Sequence, residues 1–83
     1  MGSIPRPSVH LYFARGCHLC ENARLVLERV RAEVPFELTE TDITGDPELE
    51  ALYRERIPVV LVDGAEAFHY FVHPDFLRRK LQS

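Results

Sequence analysis

Two cysteines, Cys17 and Cys20, stand in the run FARGCHLCENARLVLERV (13–30), where an apolar stretch gives way to an amphipathic one. Thiols at this spacing can clip a metal, close a structural staple or exchange with another disulfide. In a first helical turn, positions i and i+3 share one face, so a disulfide could form and break in place without large backbone movement. A purely structural staple across so few residues would restrict the unfolded chain by only about 2 kcal/mol, and cytosolic thiols are normally kept reduced. A zinc site needs about four ligands, usually from two such pairs. Here only His10, His18, His69 and His73 could complete one, with His10 and His69 on strand positions. An iron–sulfur cluster bridging two subunits is the other metal arrangement. The residues favour redox exchange over metal or staple.

The surroundings of Cys17 suit a nucleophile. At a helix start the unpaired backbone N–H groups and the positive end of the macrodipole favour a thiolate over a thiol. Arg15 and a protonated His18 would add to this, although either can equally be a solvated surface side chain. Gly16 would let the turn approach the sulfur, or merely shape the loop. Cys20, one turn further in, is expected to be more shielded and to hold its proton more firmly, which suits a resolving thiol.

These positions require a strand before the pair and a helix after it. Residues 8–14 (SVHLYFA) are rich in β-branched and aromatic side chains and follow Pro5 and Pro7, so they read as a first strand. From Leu19, the apolar residues Ala23, Val26, Leu27, Val30 and Val34 recur at steps of three and four, the stripe of a helix that ends before Pro35. Residues 36–43 (FELTETDI) alternate as a second strand. Asp46 followed by Pro47 is a helix-start signature, and Leu49, Leu52 and Tyr53 supply a short apolar face. PVVLV (58–62) and EAFHY (66–70) flank Asp63-Gly64, a tight-turn dipeptide, and should pair antiparallel. After Pro74, the spacing of Phe76, Leu77 and Leu81 predicts a last helix with one buried face.

The order β-α-β-α-β-β-α implies an α/β domain. The first strand, helix and strand form a right-handed parallel unit, and the hairpin extends the same sheet. A four-stranded mixed sheet with helices on both faces results. Cys17 would lie at the carboxyl end of the first strand, the edge where open α/β sheets place their ligands.

Composition sets limits on partners. Eighty-three residues fit a single domain, 1–83, with residues 1–7 read as a flexible or tag-derived lead. The 46% hydrophobic and 28% charged content describes a globular chain. Thirteen acids against ten Lys and Arg give a net charge of −3, no electrostatic footprint for nucleic acid. The longest apolar run, residues 58–62, falls far short of the ~20 residues that span a bilayer, and the first residues lack the pattern of a secretory signal. A cytoplasmic monomer with no membrane partner is the expectation.

CHLC at 17–20, RIPVVLVDG at 56–64 and the element order resemble the thioredoxin superfamily, most closely its short glutaredoxin-like members. The resemblance covers essentially the whole chain beyond the first residues. It implies thiol-disulfide oxidoreductase activity, with Cys17 as nucleophile and Cys20 as resolving thiol. It also implies that Pro58 is cis and faces the cysteines, while the Ile57 backbone pairs with substrate as an added strand. An isolated X-Pro bond would be trans by default.

Glutaredoxins that use glutathione usually carry a lysine three residues before the first cysteine, Pro-Tyr between the cysteines, Thr-Val-Pro, and Gly-Gly with a later Asp before the last helix. This chain has Ala14, His18-Leu19, Arg56-Ile57-Pro58 and VHPD (72–75) in those places. The Trp-Cys-Gly-Pro-Cys signature of thioredoxins is absent too. No bound cofactor is therefore expected. Glutathione would be a weakly held reductant, with Arg15, Arg56 and the last helix's N-terminus left to meet a carboxylate. The expected partners are a disulfide-containing protein or small thiol compound and an external reductant whose identity the residues leave open. The rival from another class is a non-catalytic thioredoxin-fold module that binds partners or senses redox state.

Overall fold

A computed structural model describes residues 6–82, so part of the 1–7 lead and Ser83 lie outside the described residues. The elements follow the expected order: β1 (Ser8–Phe13), α1 (His18–Glu33), β2 (Glu37–Asp42), α2 (Pro47–Tyr53), β3 (Val59–Val62), β4 (Ala65–His69) and α3 (Pro74–Gln82). The sheet order is β2-β1-β3-β4, with β1 parallel to β2 and antiparallel to β3, and β3 antiparallel to β4.

Alternation along β1 decides what each sheet face carries. Val9 and Leu11 are fully buried and join Ala23, Leu27 and Val30 of α1 and Leu77 and Leu81 of α3 in one core cluster, with Phe13 packed against it. Tyr12 points the other way and stacks on Tyr53 at the end of α2, ring centroids 4.3 Å apart. Helices therefore cover both faces, α1 and α3 on one and α2 on the other. Fully burying a Leu or Val side chain contributes about 1.5–3 kcal/mol, so the α1 and α3 side holds most of the stabilisation.

Local chemistry fixes the ends. Asp46 caps α2, its Oδ1 accepting the backbone N–H of Glu48 and Leu49, each at 3.1 Å, and Pro47 occupies the first turn. Asp63 and Gly64 both take positive φ, 50° and 86°, as a two-residue hairpin turn with matching twist requires. Asp63 also holds the start of β1, accepting the Ser8 N–H on its carboxylate at 2.9 Å and donating its own N–H to the Ser8 carbonyl.

Three expectations are corrected. Phe76 is 55% exposed, so α3 buries Leu77 and Leu81 without it. Leu52 is 59% exposed and α2 contributes no fully buried residue, because seven residues give barely two turns, with Tyr53 stacked on Tyr12 of the sheet. Tyr70, read as the end of the last strand, leaves the ladder: β4 stops at His69 and Tyr70 turns to φ 65°.

Candidate functional site

The β1-to-α1 turn builds the site. Gly16 takes φ 75°, a left-handed conformation that side chains rarely adopt, and so reverses the chain directly before Cys17. Cys17 is the N-cap of α1, with extended backbone angles, and its Sγ accepts the backbone N–H of Cys20 at 3.2 Å. The sulfur thus takes the place that a serine or aspartate oxygen fills in ordinary caps. Both cysteines are free thiols; Cys17 is half-buried, whereas Cys20 is buried at 4% exposure.

Burial pushes the Cys20 thiol up to about 12, with its hydrogen bond to Cys17 and the nearby Cys17 charge acting in the same direction. A backbone hydrogen bond from Ala14 and the Arg24 charge oppose this without outweighing it. The pair is therefore asymmetric: an outer sulfur served by donors and an inner one that keeps its proton.

Beside the pair lies a cavity of about 120 Å³ lined by Phe13, Ala14, Arg15, Gly16, Cys17, Cys20, Glu21 and Arg24. Arg24 lies over the Phe13 ring at 4.9 Å from its centroid and pairs with Glu40 at 2.6 Å. Sequence reasoning missed Arg24, although its position four residues after Cys20 puts it on the same helix face.

The two cationic candidates are held elsewhere. Arg15 lines the cavity, but its side chain is 85% exposed and its Nε donates to Asp42 at 3.2 Å. The hydrogen bonds of Thr44, and then Arg15, hold the Asp42 carboxyl below its usual range. His18 is 94% exposed, its Nδ1 3.4 Å from Glu21. Among the described residues, neither side chain hydrogen-bonds to a sulfur. Arg56 donates to both Glu66 oxygens and to the Leu52 carbonyl, and lies over Tyr53.

Register brings Ile57 and Pro58 to the cysteine edge. Tyr12 pairs with Val59, and Val59 with His69, so the next row contains the end of β1, Pro58 and Tyr70. The Ile57-Pro58 peptide bond is cis, as the resemblance implied; Pro58 is fully buried and Ile57 half-buried. Among the described residues no group of three or more His, Cys, Asp or Glu side chains could hold a metal ion. No helix among them is long and apolar enough to cross a membrane.

Known proteins align with this geometry. An uncharacterized protein of Mycobacterium tuberculosis is 35% identical over 80 residues, covering 90% of this chain and 82% of that protein. The solution structure of protein Ne2328 from Nitrosomonas europaea superposes with TM-score 0.82 at 30% identity, covering 98% of each chain. Fasciola hepatica thioredoxin superposes with TM-score 0.60 at 25% identity, over 93% of this chain and 79% of that one. The family described as Glutaredoxin-like domain (DUF836) matches residues 8–82. A β-α-β-α-β-β-α sheet with a close cysteine pair at its edge, matched over nearly its full length, places this chain in that glutaredoxin-like family of the thioredoxin superfamily.

Proposed function

We propose that the protein is a thiol-disulfide oxidoreductase that reduces protein or small-molecule disulfides through Cys17 and Cys20. The observation that carries this reading is the asymmetry of the pair: Cys17 is accessible at a helix N-cap and accepts hydrogen bonds from Cys20, which is buried and holds its proton.

The Cys17 thiolate attacks one sulfur of the substrate disulfide. A Cys17–substrate bond forms, the substrate S–S bond breaks, and the leaving thiolate takes a proton from water. Once Cys17 is capped, its charge no longer faces Cys20, and one cause of Cys20's reluctance to ionise is removed. Cys20 then loses its proton and attacks Cys17. The Cys17–Cys20 disulfide forms, the second substrate thiolate leaves, and two electrons have passed to the substrate. An external thiol reductant returns them.

Arg15, which lines the cavity, and the exposed His18 border the approach of incoming substrate, and the Ile57 backbone at the same edge offers polar groups to an extended substrate segment. The enzyme acts as a monomer without a resident cofactor, in a reducing compartment such as the cytoplasm. Glutathione serves at most as one reductant among others.

Trapping tests the reading. In Cys20→Ser the mixed disulfide cannot be resolved internally, so a disulfide substrate should remain attached to Cys17 and be released by dithiothreitol. A wild-type protein that turns over no small disulfide, with nothing trapped on the variant, would leave a binding module as the better description.

A further inference from the structure

We propose that Tyr70 is a positioning residue for substrate: it fixes residues 55–58 at the cysteine edge so that Ile57, with neither its N–H nor its carbonyl in a backbone hydrogen bond, is left to pair with an extended substrate segment. This rests on the oxidoreductase reading above.

Tyr70 is a non-glycine residue at φ 65°, a conformation seldom adopted by a large side chain and retained where surrounding contacts over-determine it. The contacts are visible. Its phenol O–H donates to the Glu55 carbonyl. Its backbone N–H is shared between the carbonyls of Arg56, at 3.3 Å, and Pro58, at 3.0 Å. One residue thus satisfies three of the four carbonyls from 55 to 58. The exception is Ile57, whose N–H and carbonyl make no backbone hydrogen bond among the described residues; the β3 ladder begins only at Val59.

The turn is tightened from the other side. Phe71 donates its N–H to the His69 carbonyl at 2.7 Å, and the His69 ring meets the Tyr70 ring edge-on at 4.9 Å. Arg56, within the held stretch, is itself tied to Glu66 of β4. The segment before β3 is thereby attached to β4 at backbone and side chain, in the row next to the end of β1. A docking segment that must find its hydrogen-bonding groups in place gains affinity from such preorganisation. A small disulfide with no backbone to pair gains nothing from it.

The test compares Tyr70→Phe, which removes only the phenol bond, and Tyr70→Gly, which removes the side chain and tolerates the positive φ. Each is assayed with a short disulfide-linked peptide dimer and with hydroxyethyl disulfide. Expected for Tyr70→Gly is a rise of about tenfold in KM for the peptide, with kcat and hydroxyethyl disulfide turnover within about twofold of wild type; Tyr70→Phe should fall between. The Cys17 alkylation rate, which reports the thiol and not the docking segment, should be unchanged. Equal losses on both substrates, or a peptide KM that does not move, overturn the positioning role while leaving the oxidoreductase reading intact. A wild-type protein without turnover of either disulfide overturns both.

Discussion

Cys17 Sγ accepts the backbone N–H of Cys20 at 3.2 Å, so the outer sulfur of the pair caps the helix in which the inner one is buried. This makes the thiols unequal in a measurable way. Cys20, pushed up to about 12 by burial and by Cys17, stays protonated throughout the neutral range. Iodoacetamide at pH 7 should therefore label Cys17 at least about a hundredfold faster than Cys20, with one label per folded chain. Arg15→Ala should change the Cys17 rate by no more than about twofold, because an exposed side chain paired with Asp42 contributes little. Peptide mapping after timed quenching reads both; equal, slow labelling of the two cysteines contradicts an activated Cys17.

The same asymmetry predicts dependence on Cys20. Ala14 occupies the usual lysine position, is buried and has no charge to offer glutathione, while Arg56 is committed to Glu66. Weak capture of glutathione would leave resolution of the mixed disulfide to the protein's own second thiol. With glutathione as the only reductant, Cys20→Ser should lose activity by about tenfold or more. Full activity of the variant would reveal a glutathione site that these residues do not suggest.

What could be read from the residues was what depends on neighbours in sequence. The stripe of Ala23, Leu27 and Val30, the Asp46 cap and the Asp63-Gly64 turn each act within a few residues, and each stands where its pattern placed it. The cysteine pair was legible for the same reason. Features that depend on distant partners were not. Arg15 and Arg56 were read as available charges, yet Asp42 and Glu66 occupy them. Phe76 has helical spacing yet stays 55% exposed, met only in part by the His73 ring and the Arg79 guanidinium, and periodicity cannot say whether a neighbouring element exists to bury it. Tyr70 was least legible: propensity assigns positive φ to glycine or asparagine, and only carbonyls from residues 55–58 hold a tyrosine there.

Two substitutions in the helices separate the real core from the apparent one. Leu27 is fully buried between α1 and the sheet, so Leu27→Ala removes buried methyl groups and leaves a cavity, costing about 2–5 kcal/mol. Phe76 is 55% exposed, and Phe76→Ala should stay within about 0.5 kcal/mol of wild type. Urea unfolding followed by circular dichroism measures both. A large loss at Phe76 would show that its ring packs in a way its exposure does not suggest.

His10 predicts the pH dependence of stability. Its Nε2 lies 2.8 Å from the Thr41 hydroxyl, its Nδ1 bonds the Thr39 hydroxyl, and its ring meets Tyr12 edge-on at 4.6 Å. Burial lowers its pKa below the ordinary 6.5, and the Glu40 charge only partly opposes the shift. Because the folded state resists protonation more than the unfolded chain, the unfolded state binds more protons between the two values. Stability is then full above about 6.5 and declines as pH falls through that value toward the depressed folded one. The lowered carboxyls of Asp42 and Glu33 have the same sign but act only in the more acidic carboxylate range, so the window just below 6.5 belongs to His10 among the resolved shifts. Urea midpoints at pH 7.5 and 5.5 should differ in the wild type and differ less in His10→Gln, and the His10 ring should titrate below 6.5 by NMR. A variant with an undiminished difference would place the pH sensitivity elsewhere, and a His10 midpoint above 6.5 would reverse the sign of its contribution.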